Sequence, residues 1–366
     1  MIAKAFDVFI VGGGPAGAAT AISLQAVAPD LTVCIADMGR DGLFRVGESV
    51  PPLIKPFLEH LGVWQAFLRD RHCQSFRTVS AWGSPELISN EFFLSAHNTG
   101  WRLDRNRFDA MLLGKAKQQG TTILNAKTSS VYHDSGQWRI DCGESGIYTA
   151  RCVVDATGRS ALVSRLAGIK PVNYDQLVAS TVFFEDRASP NVTGADAALI
   201  ESFQQGWWYT AATPGNRRVV ALMTDADIAH HLRANRLETW LACLAKTTHI
   251  KTVLCNSQPL GPPKLWPASS RLLQGIGPQS LIAVGDAYSR FDPLSSQGII
   301  KALRSAIFGS YALADWMLRS DSSGFSRYEA LMQREFASYR NTLRNFYREE
   351  MRWPDSPFWQ RRHGQS

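Results

Sequence analysis

Residues 7–37 read DVFIVGGGPAGAATAISLQAVAPDLTVCIAD, and the division of this stretch decides the fold. DVFIV (7–11) is short, apolar and β-rich without polar alternation, as in a strand buried on both faces. PAGAATAISLQAVA (15–28) is rich in alanine, with apolar residues at helical spacing, and LTVCIAD (31–37) is a second buried strand. Together they form a βαβ unit. The turn between the first strand and the helix places Gly12, Gly14 and Gly17 in G-x-G-x-x-G spacing. The first glycine serves a tight turn, the second leaves the backbone open to a pyrophosphate, and the third lets helix pack on strand. Pro15 and Ala16 open a helix whose free amides face the phosphates. Asp37 closes the second strand twenty residues beyond Gly17, where an acid takes ribose hydroxyls. The expectation is a dinucleotide-binding α/β fold.

Further along, RCVVDATG (151–158) and SLIAVGDA (280–287) repeat the buried-strand style. VPPLIKPFLEHLGVWQAFLRDR (50–71) reads as two short helices, FRTVSAWGS (76–84) as extended chain, and RFDAMLLGKAKQQG (107–120) as an amphipathic helix. Residues 176–223 are β-rich with clustered Trp and Tyr. Two long helical stretches follow, 295–318 and 324–350, then a Pro-broken aromatic tail, RWPDSPFWQRR (352–362). The expected architecture is a Rossmann-like dinucleotide lobe (1–75, 102–175 and 268–320) interleaved with a mainly antiparallel β-sheet lobe (76–101 and 176–267). A C-terminal helix and tail (321–366) complete it.

The 366 residues are 45% hydrophobic and 19% charged, too apolar for a disordered chain. The net charge of +7 favours anionic ligands or an acidic protein partner, but no run of five or six basic residues points to nucleic acid. Six cysteines form no C-x-x-C, and no Cys/His set has metal-ligand spacing, so reduced thiols and no metal are expected. Neither a signal-peptide pattern nor a run of about eighteen apolar residues occurs, so a cytoplasmic protein without a membrane span is expected.

GGGPAG, GESVPP (47–52), LDRNRFDAML (103–112), DATGRSA (155–161) and GDAYSRFDPLSSQGIIKALRSA (285–306) follow one another along nearly the whole chain. In this order they resemble single-component flavin monooxygenases and flavin-dependent halogenases. The resemblance implies FAD as cofactor, with the β-sheet lobe holding substrate. It places Thr157 and Gly158 beside the first glycine turn, Arg105 near the ribose–pyrophosphate region, and Gly285 and Asp286 at the flavin ribityl chain. Glu48 and Ser49 border the isoalloxazine, and Pro293, Gln297, Gly298 and Ile299 line the ring at a helix start that favours negative charge. Without the surrounding block, Asp286 reads first as a helix N-cap or turn residue; with it, the cofactor contact is the favoured reading.

Tryptophan halogenases carry Glu where this chain has Ser295, Thr where it has Gln297, and a Lys whose nearest match is Arg77 in SFRTVSAWGS. Arginine stays protonated and cannot replace that lysine. Their W-x-W-x-I-P signature is also absent, with GWWYTAATP (206–214) only a loose relative. GESVPPLIKPFLEHLGVWQAF, SAWGS, GWRLDRNRFDAML and the tail resemble flavoprotein maturases that build tryptophylquinone cofactors in oxidases. That likeness implies an FAD-dependent monooxygenase hydroxylating an aromatic ring, a tryptophan of a precursor protein. Two alternatives stay open: a halogenase or hydroxylase of a small aromatic, and a non-catalytic FAD-binding assembly factor. Glu48 and Arg77 are the candidates near the reacting centre. Trp82, Trp101, Trp207, Trp208 and Tyr209 are candidates to stack an indole, although a packed core is the commoner fate of any one of them. His72 falls on the expected flavin side, and His230-His231 reads as helix surface. No second G-x-G-x-x-G is present, so electrons are expected from transient NAD(P)H or from a separate flavin-reducing partner.

Overall fold

The computed structural model describes residues 4–39, 49–92, 95, 97–189, 192–274 and 280–364. The opening stretch folds into β1 (Lys4–Val11), α1 (Pro15–Val27) and β2 (Val33–Asp37), with the two strands parallel and Val8 opposite Val33. Val8, Phe9, Ile10, Cys34 and Ile35 are fully buried, which is why neither strand alternates.

Short elements follow: β3 (Ser49–Val50), α2 (Ile54–His60), α3 (Trp64–Arg69), β4 (Cys73–Ser75), β5 (Arg77–Ala81), β6 (Ile88–Glu91) and β7 (Gly100–Arg102). Helix α4 (Arg105–Gln118) starts two residues before the amphipathic pattern does, because the Asp104 carboxylate caps the amides of Asn106 and Arg107. Then come β8 (Thr122–Asn125), β9 (Ser130–Asp134), β10 (Gln137–Asp141), β11 (Ile147–Asp155), α5 (Leu162–Leu166) and β12 (Lys170–Asn173).

The aromatic region forms β13 (Leu177–Glu185), β14 (Ala198–Phe203), β15 (Gly206–Thr213) and β16 (Arg217–Asp225). The lobe expected to be β-rich also contains three helices, α6 (Ala226–His231), α7 (Leu237–Leu244) and α8 (His249–Val253). They cover one sheet face, burying Trp240, Cys243, Ile250 and Val253 against Val182, Phe184, Trp208 and Leu222. His230 and His231 lie exposed in the last turn of α6. The chain continues through β17 (Lys264–Pro267), β18 (Arg271–Gln274), β19 (Leu281–Ala283) and β20 (Ser289–Arg290). It ends in α9 (Gly298–Arg319), α10 (Ser323–Glu349) and α11 (Pro357–His363). The tail is thus less broken than its prolines suggested, since Pro357 occupies the first turn of α11, where its missing N–H costs nothing.

The first sheet has the order β8-β2-β1-β11-β10-β9, with β19 also pairing β11. Its β8, β2, β1, β11 and β19 are parallel, and β10 and β9 are antiparallel. The second sheet runs β17-β13-β16-β15-β14-β5-β6 and is antiparallel except where β14 meets β5. Two three-stranded sheets, β12-β18-β20 and β3-β7-β4, complete the strands. The second sheet takes its strands from 77–91, 177–225 and 264–267. We propose the two-lobe division of the sequence analysis as the domain organisation. Helix α1 packs on α9 through small residues, and the Ser310 hydroxyl donates to that of Ser23 at 2.6 Å. The end of α10 and all of α11 close the second face of the second sheet through Tyr347, Phe358 and Trp359.

Candidate functional site

The glycine turn is built by close approach of backbone to backbone. Gly12 has φ +106°, and a Cβ there would lie 2.4 Å from the Ala156 carbonyl oxygen and 3.2 Å from the Thr157 nitrogen. A Cβ on Gly17 would lie 1.9 Å from the Gly12 carbonyl oxygen. Gly14 differs: its backbone is extended (φ −69°, ψ −175°), and among the described residues nothing lies within 4 Å of where a Cβ would project. Among those residues no contact demands glycine at 14, and the open space would suit a pyrophosphate. Asp37 stands beside the turn, its carboxylate 2.9 Å from a Cβ built on Gly13.

The DATGRSA segment returns to this turn after β11. Its Asp155, fully buried, accepts from the Thr157 amide and hydroxyl (3.1 and 2.6 Å) and from the Ser164 amide and hydroxyl (2.8 and 2.7 Å). Thr157 and Gly158 follow it closely in the chain. Asp155 is the residue that shapes their loop, and Gly158 opens a short 3-10 turn. The GDA turn also reaches the start of α1. A Cβ on Gly285 would lie 2.8 Å from that of Ala16, and the Gly285 amide donates to the Ser305 hydroxyl (2.8 Å). Folding therefore joins three segments separated by more than a hundred residues each.

Asp286 does not stand alone. Lys301, on the first turn of α9, donates to its Oδ1 at 2.8 Å and also bonds the Ser289 carbonyl. Burial pushes the Asp286 carboxyl up, but Lys301, Arg159 and Arg290 outweigh burial and hold it below the ordinary range. Burial lowers the Lys301 ammonium. Lys301 was not singled out from sequence. Its signal is a lone cation inside the apolar run GIIKAL.

The loop from 292 to 298 is held from behind. Asp292 Oδ1 accepts from the Leu294 amide (2.9 Å) at the 3-10 turn Pro293–Ser295, and the Tyr347 hydroxyl donates to Oδ2 (2.8 Å). The Asp292 amide donates to the Tyr339 hydroxyl at 2.6 Å. Burial, with Asp175 adding negative charge, pushes the Asp292 carboxyl up to about 7. Pro293, Gln297 and Gly298 are exposed, and Ile299 is buried. The first amides of α9 are left without side-chain caps, a fitting place for negative charge.

The small sheet β3-β7-β4 meets the second sheet at Ser49, whose hydroxyl lies 2.6 Å from that of Tyr209 on β15. Ser49 is paired with Arg102 across β3 and β7. Arg102 Nη1 donates to the Asp196 carbonyl (2.7 Å), while Arg77 Nη2 donates to both Asp196 carboxylate oxygens (2.9 and 3.1 Å). Glu91 reaches Arg77 at 3.7 Å. The hydrogen bond to Asp196 pushes the Arg77 guanidinium further up. Arg105 is paired with Asp109 one turn along α4 at 3.3 Å. Glu48 lies outside the described residues.

The aromatic candidates divide by sheet face. Trp207 is buried with its Nε1 donating to the Tyr347 hydroxyl (3.0 Å), and Trp208 is buried edge-on to Trp240 at 4.9 Å. Trp101 is packed against Phe67 (5.1 Å), and Trp82 Nε1 donates to the Phe346 carbonyl (2.7 Å). Trp207 and Trp208 are core residues of the second sheet, whose faces helices cover, while Trp101, on β7, packs in the other core and Trp82 is a strut to α10. Tyr209, like Trp82, is only partly buried. His72 is buried, its Nδ1 accepting from the Asp104 amide at 3.1 Å, and burial lowers its pKa. It shapes the start of α4. Among the described residues no cluster of three His, Cys, Asp or Glu could hold a metal, and no helix is long and apolar enough to cross a membrane.

The family profile described as lycopene cyclase protein matches residues 7–177. LodB of Marinomonas mediterranea, named as an FAD-dependent oxidoreductase, is 33% identical over 98% of this chain and 97% of its own length. The structure of the myxobacterial chondrochloren halogenase CndH superposes with a TM-score of 0.89 at 22% identity, covering 98% of this chain and 86% of that one. QhpG, described as a peptidyl tryptophan dihydroxylase essential for tryptophylquinone cofactor biogenesis, superposes with a TM-score of 0.72 at 24% identity over 98% and 79%. The likeness to LodB supports FAD as the cofactor.

Proposed function

The chain belongs to the flavin-dependent halogenase family of FAD-dependent oxidoreductases, and on that premise we propose that it is a monooxygenase hydroxylating an aromatic ring. The ring we assign is a tryptophan side chain of a precursor protein, during biogenesis of a tryptophylquinone cofactor. Bound FAD, once reduced, supplies an electrophilic oxygen from dioxygen. The glycine turn would hold the dinucleotide, the 292–298 loop would lie against its ring, and the junction beside Ser49 and Tyr209 would receive the substrate.

The observation that carries this reading over halogenation is Arg77. Its guanidinium is tied to Asp196 and Glu91, so it offers no amine or transferable proton at the position expected for the halogenase lysine. Full-length likeness to LodB, and the activity named for QhpG, support a protein-borne tryptophan as the substrate. Reducing equivalents come from transient NAD(P)H or from a separate flavin-reducing partner.

The test incubates the holoenzyme, a flavin-reducing system and dioxygen with a tryptophylquinone oxidase precursor, with and without bromide. Mass spectrometry should find oxygen added at tryptophan, independent of halide. The fold likeness to CndH favours a second reading, halogenation of a small aromatic. Brominated product from free phenols or indoles, with the precursor untouched, would establish that reading instead. An FAD-loaded protein that binds the precursor and consumes no reductant would be an assembly factor. Introducing Glu at Ser295 and Thr at Gln297 should leave halogenation absent while Arg77 remains.

A further inference from the structure

Lys301 occupies an unfavourable place for a cation. Its side chain is 1% exposed, and it lies in the first turn of α9, where the helix dipole already concentrates positive charge. A buried ion pair is weak evidence for stability, because an apolar residue of similar volume commonly serves as well. The pair is also asymmetric. The ammonium is sealed, held by Asp286 Oδ1, the Ser289 carbonyl and the Phe291 ring at 4.9 Å. The Asp286 side chain is 31% exposed, and among the described residues its second oxygen has no partner. The pair thus presents an oriented carboxylate outward from a cation that never meets solvent.

We propose that Lys301 is a positioning residue for FAD, holding the Asp286 carboxylate ionised and turned so that its free oxygen accepts from the ribityl hydroxyls. The proposal rests on the assignment of Asp286 to the ribityl chain and not on the identity of the ring hydroxylated. The other charges facing Asp286 are Arg290 on β20, Arg159 in the 3-10 turn after β11, and Arg271 on β18, whose Nη2 donates to the Asp286 carbonyl at 3.1 Å. Arg271 in turn feels Asp155 and Arg165. Lys301 is the only one of the four cations bonded to the Asp286 carboxylate among the described residues, so removing it leaves burial opposed only at longer range. The carboxyl then titrates nearer neutrality and loses its charge-assisted hydrogen bond as pH falls.

Fluorescence titration of apoprotein with FAD from pH 6 to 8.5 tests this without any substrate. The wild type should bind with an affinity that changes less than about twofold across the range. Lys301→Met should weaken binding about tenfold at pH 6, with partial recovery at pH 8.5. Lys301→Gln should behave alike and stands in if the methionine variant fails to fold by circular dichroism. Asp286→Asn should weaken binding equally at every pH, and adding Lys301→Met to it should cost nothing more, because the ammonium acts through the carboxylate. A flat pH profile for both Lys301 variants, or an equal loss in the Asp286→Asn background, overturns the role of Lys301. Unchanged affinity in Asp286→Asn overturns instead the Asp286 contact on which it rests.

Discussion

The glycine turn at 12–17 and the aromatic strand at 206–213 are the two most conspicuous stretches of this chain, and they have opposite fates. In the turn, the residues that stand out set the close backbone approach themselves, and Gly14 keeps its open face. In the strand, the residues that stand out, Trp207 and Trp208, are buried in packing, and the less prominent Tyr209 reaches the junction. A glycine motif reports backbone approach, which is local. An aromatic cluster reports only that area is to be buried, and whether ligand or protein covers it depends on distant segments. Here α6–α8 cover one face and α10–α11 the other.

Four substitutions break or sharpen this contrast. Trp208→Ala should cost about 3–5 kcal/mol in denaturant unfolding, the usual range for emptying a buried aromatic site. A loss under about 1 kcal/mol would mean that the strand is not core. Gly17→Ala drives a methyl into the Gly12 carbonyl and should cost about 3 kcal/mol, with FAD retention lost in the same preparation.

Asp292→Asn probes the loop between the two regions. The folded carboxyl keeps its proton up to about 7, while the unfolded one loses it near its ordinary 3.8. Between those values the native state binds more protons than the unfolded state, so stability falls as pH rises through that window. Asparagine removes the dependence, and the variant should gain about 1–3 kcal/mol on the wild type between pH 4 and pH 8. Parallel stability curves for the two proteins would exclude a raised Asp292. Smallest in stability is Gly14→Val, expected within about 1 kcal/mol of the wild-type apoprotein, yet its side chain fills the open face and FAD binding should vanish. Normal flavin content in that variant would remove the pyrophosphate from this turn.

Much of the candidate site's local geometry was legible residue by residue. The spacing of Gly12, Gly14 and Gly17, the acid at Asp37 and the helix begun by Pro15 obey backbone sterics and dipole direction, which act over a few residues. The unbroken apolar runs of β1, β2, β11 and β19 announced a sheet covered on both faces. What stayed hidden depends on contacts across long separations. Lys301 beneath Asp286, Tyr347 behind Asp292 and Asp196 on Arg77 join residues 15, 55 and 119 positions apart. Side-chain burial and ion pairing have no period in the chain, so only packing could decide that the tail folds into α11 against the sheet, and that one tyrosine of an aromatic strand is left facing the junction.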